Sequence, residues 1–423
     1  MYVHPSHLRL ANRRRACALL LAEGGSTRAS LARSLGLSAV TAGKVVDELI
    51  DEGLVEETDD AVPAAANDAP PARGRPARRL RLADGPTFAA VEIGASETRV
   101  AGVALGGRVK AERRFATPAS LPKFLDAVRD ARSAIDGRPR AVLASVPGVV
   151  DEAAGRVVFS PNLHWSEGTE LLEGLGRLFR APVVAVQEVR ALALGLVAAG
   201  EAPEPFLLLE FGDGVGGAIV AAGEGGSGER MPLIGEIGHT RVPGAARRCG
   251  CGGTGCVETI ASRAGLLRSC RAAARSPRLS WDAVVARVAA RGVEPWLADT
   301  VASTAVVASG AVNLLGVRDV VLMGDLPDLG ADVVARFADD LRTHALPARF
   351  GPVVCRAAPR RRILGLAYAA LDRLLLPPPE TAAERGAAKE LERAAFAEEL
   401  KRAAFAKELK RAAFAARRRS LGL

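Results

Sequence analysis

Long apolar runs are missing from this 423-residue chain. None reaches the ~18 residues of a membrane-spanning helix, so no contact with a membrane is expected. The N-terminus also lacks the apolar core of a secretory leader, because Arg13, Arg14 and Arg15 stand ahead of a short amphipathic segment. Cysteine is scarce, at six residues, and nothing marks a secreted chain, which argues against a disulfide framework. These absences together predict a cytoplasmic protein. Lysine is sparse beside arginine, and alanine is abundant. Part of the formal charge of +9 then reflects a GC-rich coding bias, and the remainder suggests a polyanionic partner. The length leaves room for two or three domains with full-sized cores.

The few cysteines are not scattered. Gly235 to Glu258 reads GEIGHTRVPGAARRCGCGGTGCVE. Cys249, Cys251 and Cys256 occupy a short glycine-rich loop downstream of His239. One imidazole and three thiolates are the ligand set of a closed, tetrahedral structural zinc site. Gly250, Gly252, Gly253 and Gly255 let the loop turn tightly enough to aim three sulfurs at one point. The alternative is three unrelated buried thiols; a disulfide between cysteines two apart would be strained. Cys17, Cys270 and Cys355 read as ordinary buried thiols.

The pattern G-E-x-G-H, then C-x-C-G-x-x-G-C-x-E, resembles the signature of the ROK family (repressors, open reading frames and sugar kinases). The resemblance implies that Glu236, His239 and Glu258 also face a sugar. Zinc would then clamp the sugar-contacting loop without a catalytic role.

Upstream, Ala16, Leu19 and Leu20 follow helical spacing from Asn12 to Ala22. Thr27 is placed to cap a second helix carrying Leu31 and Leu35, which Gly36 closes. Ser38 caps a third, with Ala42, Val45, Val46 and Leu49 inward. Helices joined by the tight Leu35-Gly36-Leu37 turn make a helix-turn-helix, and Gly53-Leu54-Val55 opens a wing. On this reading Ala39, Thr41 and Lys44 face the major groove of duplex DNA, while Arg28 and Ser38 lie nearer phosphates. Gly43, which costs about 1 kcal/mol inside a helix, would permit close approach to a base or backbone. A protein-docking domain is the alternative. The segment GLSAVTAGKVVDELIDEGLVEE is similar to the winged helix of ROK repressors, a domain that kinases of the family lack.

Residues Asp59 to Pro71 carry no periodicity and read as flexible. In the basic stretch that follows, Gly74, Arg75 and Pro76 suit an arm in the minor groove, and ROK repressors have the same tripeptide after their wing. Leu80 and Leu82 are assigned to a strand returning to the body. The expected divisions are 1–58 (winged helix-turn-helix), 59–85 (basic linker), 86–376 (body) and 377–423 (tail).

The body alternates strands with helices, which indicates an α/β fold. Strands are predicted at 88–93, 99–104, 141–146, 183–186, 206–211, 217–222 and 320–323. The ROK resemblance implies a two-lobed, actin-like ATPase (ribonuclease H-like) architecture. It also places phosphate loops at Glu92-Ile93-Gly94-Ala95-Ser96-Glu97 and Gly212-Asp213-Gly214, and a nucleoside turn at Met323-Gly324-Asp325. Glu97, Asp213 and Asp325 would set fixed carboxylates beside a polyphosphate. Two like charges ~4 Å apart cost about 4 kcal/mol at an effective dielectric of ~20, so nucleotide binding is expected to be lost or badly weakened. The family's catalytic aspartate corresponds to Glu188, one methylene longer, and Arg190 is placed to pair with it. Asn162 matches a sugar-binding asparagine, or else caps the turn after Pro161.

After Pro377-Pro378-Pro379 comes a nine-residue near-repeat (ELERAAFAE, ELKRAAFAK, ELKRAAFAA). It reads as a helix or a disordered tail, without a counterpart in the family. The function expected from all this is a sugar-responsive transcriptional regulator, a repressor, working as a homodimer or higher oligomer on a double-stranded operator. A sugar kinase with an added DNA-binding head is the alternative, as is a DNA-binding protein whose sensor is dead.

Overall fold

Helix α1 (Pro5–Glu23) begins well before the apolar spacing that marks it in sequence, and Gly24 and Gly25, both at positive φ, follow it. The computed structural model describes residues 5–59, 78–85, 87–135, 137–152, 154–201, 205–220 and 235–375. Gly74, Arg75, Pro76, most of the linker and the repeat tail fall outside these. The chain divides into Met1–Leu376 and Pro377–Leu423, and every described residue belongs to the first unit.

Thr27 accepts from Ser30 N at the start of α2 (Arg28–Leu35), and Gly36, at φ 65°, closes that helix in the left-handed region. Ser38 accepts from Thr41 N at the start of α3 (Ala39–Asp51). Leu31, Leu35, Val45, Val46 and Leu49 are buried together with Ala16 and Leu20 of α1. Strands β1 (Val55–Thr58) and β2 (Arg79–Leu82) pair antiparallel, with Val55 opposite Leu82. Leu80 and Leu82 therefore close the wing instead of returning to the body: alternation in Arg-Leu-Arg-Leu puts both leucines into the head's core and both arginines outward. Segment 60–77 connects the two strands of one hairpin.

The first lobe is a five-stranded sheet in the order β5-β4-β3-β6-β9. Its strands are β3 (Thr87–Ile93), β4 (Glu97–Ala104), β5 (Val109–Ala116), β6 (Val142–Val146) and β9 (Val183–Gln187), with a small hairpin of β7 (Val149–Asp151) and β8 (Arg156–Phe159) after β6. Helices α4 (Leu121–Ala131) and α5 (Glu170–Phe179) cover one face. Helix α6 (Glu188–Ala198) starts where β9 ends. The second lobe repeats the plan in the order β11-β10-β12-β13, built from β10 (Phe206–Phe211), β11 (Val215–Val220), β12 (Asp319–Gly324) and β13 (Val354–Ala357). Both lobes thus place an antiparallel hairpin beside parallel strands.

Between β11 and β12 come α7 (Glu258–Ala261), α8 (Arg263–Ala274), α9 (Trp281–Arg291) and α10 (Pro295–Leu315); α11 (Asp325–Asp328), α12 (Ala331–His344) and finally α13 (Arg362–Ala370) follow. Helix α10 is long and apolar enough to cross a membrane, but Leu297, Val301, Ala305, Ala308 and Val312 lie in the second lobe's core.

Helix α6 is apolar nearly all round because it is buried on two sides. Ala191, Leu194 and Ala198 join the cluster of the head and first sheet, while Val189, Leu192, Ala193 and Leu196 join one with Phe206, Leu208 and Met323 of the second. It packs on α13 through glycine: a Cβ at Gly195 would overlap Arg361 O, and one at Gly365 would overlap Ala191 O. Head and first lobe share one core, since Leu20, Leu31, Val46, Phe88, Leu143 and Leu366 belong to a single cluster. Leu20→Ala is expected to cost about 2–5 kcal/mol. Urea titration followed by both head and first-lobe probes should show one common transition.

Candidate functional site

On the head, α3 exposes Ala39, Thr41 and Lys44 as the sequence predicts. It also exposes Val40, 71% accessible, which sequence reasoning passed over because an apolar residue reads as core. Ser38 is committed to its helix, with Oγ 2.9 Å from Thr41 Oγ1. Arg28, expected near phosphates, donates its guanidinium N–H groups to Glu57 Oε1 at 2.6 Å and Asp47 Oδ1 at 2.7 Å. It braces α2 against α3 and the wing, so its charge is already matched within the fold.

A cavity of about 570 Å³ lies between the lobes. The structure brings Asn162, Glu188, Glu236, His239 and Glu258 together on its wall. Asn162 comes from the first lobe after β8, and Gly214 and Gly250 lie beside its amide. Glu258, first residue of α7, accepts from Val215 N at 3.2 Å and lies 3.3 Å from Cys249 Sγ. Gln187 Nε2 donates to Glu236 Oε1 at 3.3 Å. Burial raises the Glu236 carboxyl above its ordinary value, His239 opposes the shift, and Glu258 adds to it.

The ligand atoms of His239, Cys249, Cys251 and Cys256 all lie within 4.8 Å of one another, and this cluster can hold a metal ion. Cys251 Sγ and Cys256 Sγ are 3.8 Å apart, and Cys249 Sγ is 3.5 Å from His239 Nδ1. The other imidazole nitrogen, Nε2, faces Glu236 Oε2 at 3.6 Å. One ring thus reaches the cluster with one edge and the cavity with the other. Cys17 and Cys270 are buried away from it, and Cys355 is half-buried.

The nucleotide side differs from the sequence reading in three ways. Arg190, expected at Glu188, donates to Glu152 at 2.8 Å, with Arg373 on the same carboxylate. The partner of Glu188 is Arg362, at 3.7 Å. Of the three acids expected to confront a polyphosphate, Glu97 turns outward to Arg114 at 3.0 Å, and Asp325 is matched by Arg263 at 2.7 and 2.8 Å. Asp213 alone reaches across, accepting from Ser96 N at 3.1 Å and Ser96 Oγ at 2.8 Å. The two phosphate turns are therefore tied to each other. These turns therefore carry a hydrogen-bonded latch and a set of acid–arginine pairs, not three bare charges.

Sequence reasoning missed Glu210 and Arg360, which pair at 2.8 Å in the cavity wall. Burial, then the nearby Glu188 carboxylate, pushes Glu210 up to about 7, against the pull of Arg360.

The ROK family profile matches residues 88–358. The chain belongs to the ROK family. Among ROK proteins it is 26% identical over 380 residues to the DNA-binding transcriptional dual regulator NagC of Escherichia coli K12, covering 84% of this chain and 90% of NagC. It is 31% identical over 185 residues to the N-acetylmannosamine kinase of Escherichia coli O157:H7, covering 43% of this chain and 62% of that enzyme. In fold it is similar to a ROK family transcriptional regulator homologous to the E. coli MLC protein (TM-score 0.66, 23% identity, 86% of this chain and 96% of that one). It is also similar to the ROK glucokinase of Streptomyces griseus bound to glucose and AMPPNP (TM-score 0.57, 24% identity, 67% and 98%). The regulators match 84–86% of this chain and the kinases 43–67% of it.

Asp213→Ala should release the latch, and the Ser96 amide should then exchange its proton about tenfold faster, as loss of a hydrogen bond to a charged group allows. Glu210 supplies a pH test. Its carboxyl titrates near 7 in the fold and near 4.5 ordinarily, so its contribution to stability is full below about pH 4.5 and is lost as pH rises through 7. Tm should therefore fall between about pH 5 and about pH 8, and Glu210→Gln should flatten that fall.

Proposed function

We propose that this ROK protein is a sugar-responsive transcriptional repressor that does not phosphorylate its ligand. The observation that carries the reading is the winged helix sharing one hydrophobic core with the first lobe of a sugar-kinase-like body. A head joined in that way follows the first lobe. The ligand lies between first-lobe groups (Asn162, Glu188) and second-lobe groups (Glu236, His239, Glu258), so binding biases how the lobes stand and, through them, the separation of two heads in a homodimer on an operator. Ala39, Thr41 and Lys44 face the bases, and the Gly74-Arg75-Pro76 arm enters the minor groove. The relatives named as regulators support this, as does the latched phosphate side of the cavity, where Glu188 faces Arg362 instead of standing free as a base. The protein works in the cytoplasm, where its operator is.

The metal in this reading is zinc, held by His239, Cys249, Cys251 and Cys256 as a structural brace. Tetrahedral ligands about 2.3 Å from zinc put neighbouring sulfurs about 3.8 Å apart and a nitrogen about 3.6 Å from a sulfur. The sulfur–sulfur and sulfur–nitrogen distances of 3.8 and 3.5 Å fit those edges. Bound there, zinc would fix the loop from which His239 and Glu258 reach the sugar.

Selection from a random duplex library should enrich a twofold-symmetric operator, and one member of a sugar panel should release it; ATP with magnesium should yield no phosphorylated sugar. Enrichment of nothing, or sugar phosphorylation at ordinary kinase rates, overturns the proposal. Elemental analysis should find about one zinc per chain, and Cys251→Ser should lose the metal and the sugar response together.

A further inference from the structure

Among the described residues of the head, Leu8 and Val40 are the large apolar side chains left exposed, and only Val40 lies on α3. It is the second residue of that helix after the Ser38 cap, where the side chains of a recognition helix meet base edges. Ala42, Val45, Val46 and Leu49 are buried on the opposite side. Residues three and four apart share a helix face, so Val40 stands with Gly43 and Lys44. A Cβ built on Gly43 would meet nothing within 4 Å, so the glycine answers no packing need of the fold and leaves the ground beside Val40 open.

The chemistry of this face is restricted. From Ala39 to Lys44 the sequence is Ala-Val-Thr-Ala-Gly-Lys. It contains no Asn or Gln for a two-pronged pair with adenine, and no Arg for guanine. Arg28, the nearest guanidinium, is held by Asp47 and Glu57. Apart from the Lys44 ammonium, which can reach guanine, and the Thr41 hydroxyl, the face is methyl-rich, and the one apolar feature of the major groove is the C5-methyl group of thymine. We propose that Val40 is a specificity-determining residue that reads a thymine methyl in each operator half-site. This rests on the regulator reading above.

The test uses the full-length protein and the operator selected from the random duplex library. Each dT is replaced singly by dU, which removes the methyl and keeps the base pair. Substitution at one symmetry-related position per half-site should weaken binding by about fourfold, the effect of burying one methyl-sized group. Val40→Ala should bind the dT and dU operators equally, with an unchanged Tm because the side chain it shortens is exposed. If uracil weakens binding at no position, or if Val40→Ala keeps the full uracil penalty, Val40 does not read a thymine. If no duplex is enriched at all, the regulator reading itself falls and takes this inference with it.

Discussion

Helix α6 is the element on which the rest of the molecule depends, because it belongs to two cores at once. Its Ala191-Leu194-Ala198 stripe is packed with the first sheet and head, and its Val189-Leu192-Leu196 stripe with the second sheet. Such a helix cannot rotate without unpacking one side, so any relative movement of the lobes pivots about it. Gly195 and Gly365 let α13 approach as closely as backbone permits. That approach brings Arg362, at the start of α13, to Glu188, at the start of α6. Glu188 is therefore oriented by the same contact that packs α6 on α13.

The charge pattern of the cavity follows from that packing. Glu210 and Asp325 are withdrawn from water and Glu188 is half-buried, and each stands beside an arginine: Arg360, Arg263 and Arg362 respectively. Removing one member of such a pair leaves a buried charge unmatched, which costs more than the pair itself contributes. These arginines line one side of the cavity, whereas on the other Glu236 and Glu258 stand near each other beside His239 and Cys249. One half is self-neutralised; the other presents carboxylates to the cavity without an arginine beside them in the hydrogen bonds and ion pairs described.

How much of this could be read from the chain depended on how local each feature is. The cysteine loop, the Thr27 and Ser38 caps and the Gly36 stop were legible because ligand spacing and capping are set within a few residues. The core strands were legible as apolar runs. Strand β5 was not, because it is an exposed edge whose Lys-Ala-Glu-Arg-Arg carries charge where alternation would be sought. The acid–arginine pairs were invisible for another reason. Arg360 meets Glu210 across 150 positions and Arg263 meets Asp325 across 62, and no local pattern announces such a contact. Arg190 was assigned to its neighbour Glu188 on proximity in sequence, but on α6 the two side chains diverge and Glu152 lies on Arg190's side.

The latch between Ser96 and Asp213 bears on how weakly a ligand could act and still switch the protein. Moving a two-state equilibrium from 1:99 to 99:1 requires about 5.5 kcal/mol of preference for one state. A sugar held by a handful of hydrogen bonds to both lobes has little margin to supply all of that. Hydrogen bonds to a charged acceptor contribute about 1.5–3 kcal/mol, and Asp213 receives two from Ser96 in the arrangement where the phosphate turns meet. Here a carboxylate of the chain itself bridges the two turns, so the contact between them needs no ligand. Any movement that separates the two turns must first break both of these hydrogen bonds, so the Asp213 carboxylate adds to what a ligand would have to overcome or could draw upon.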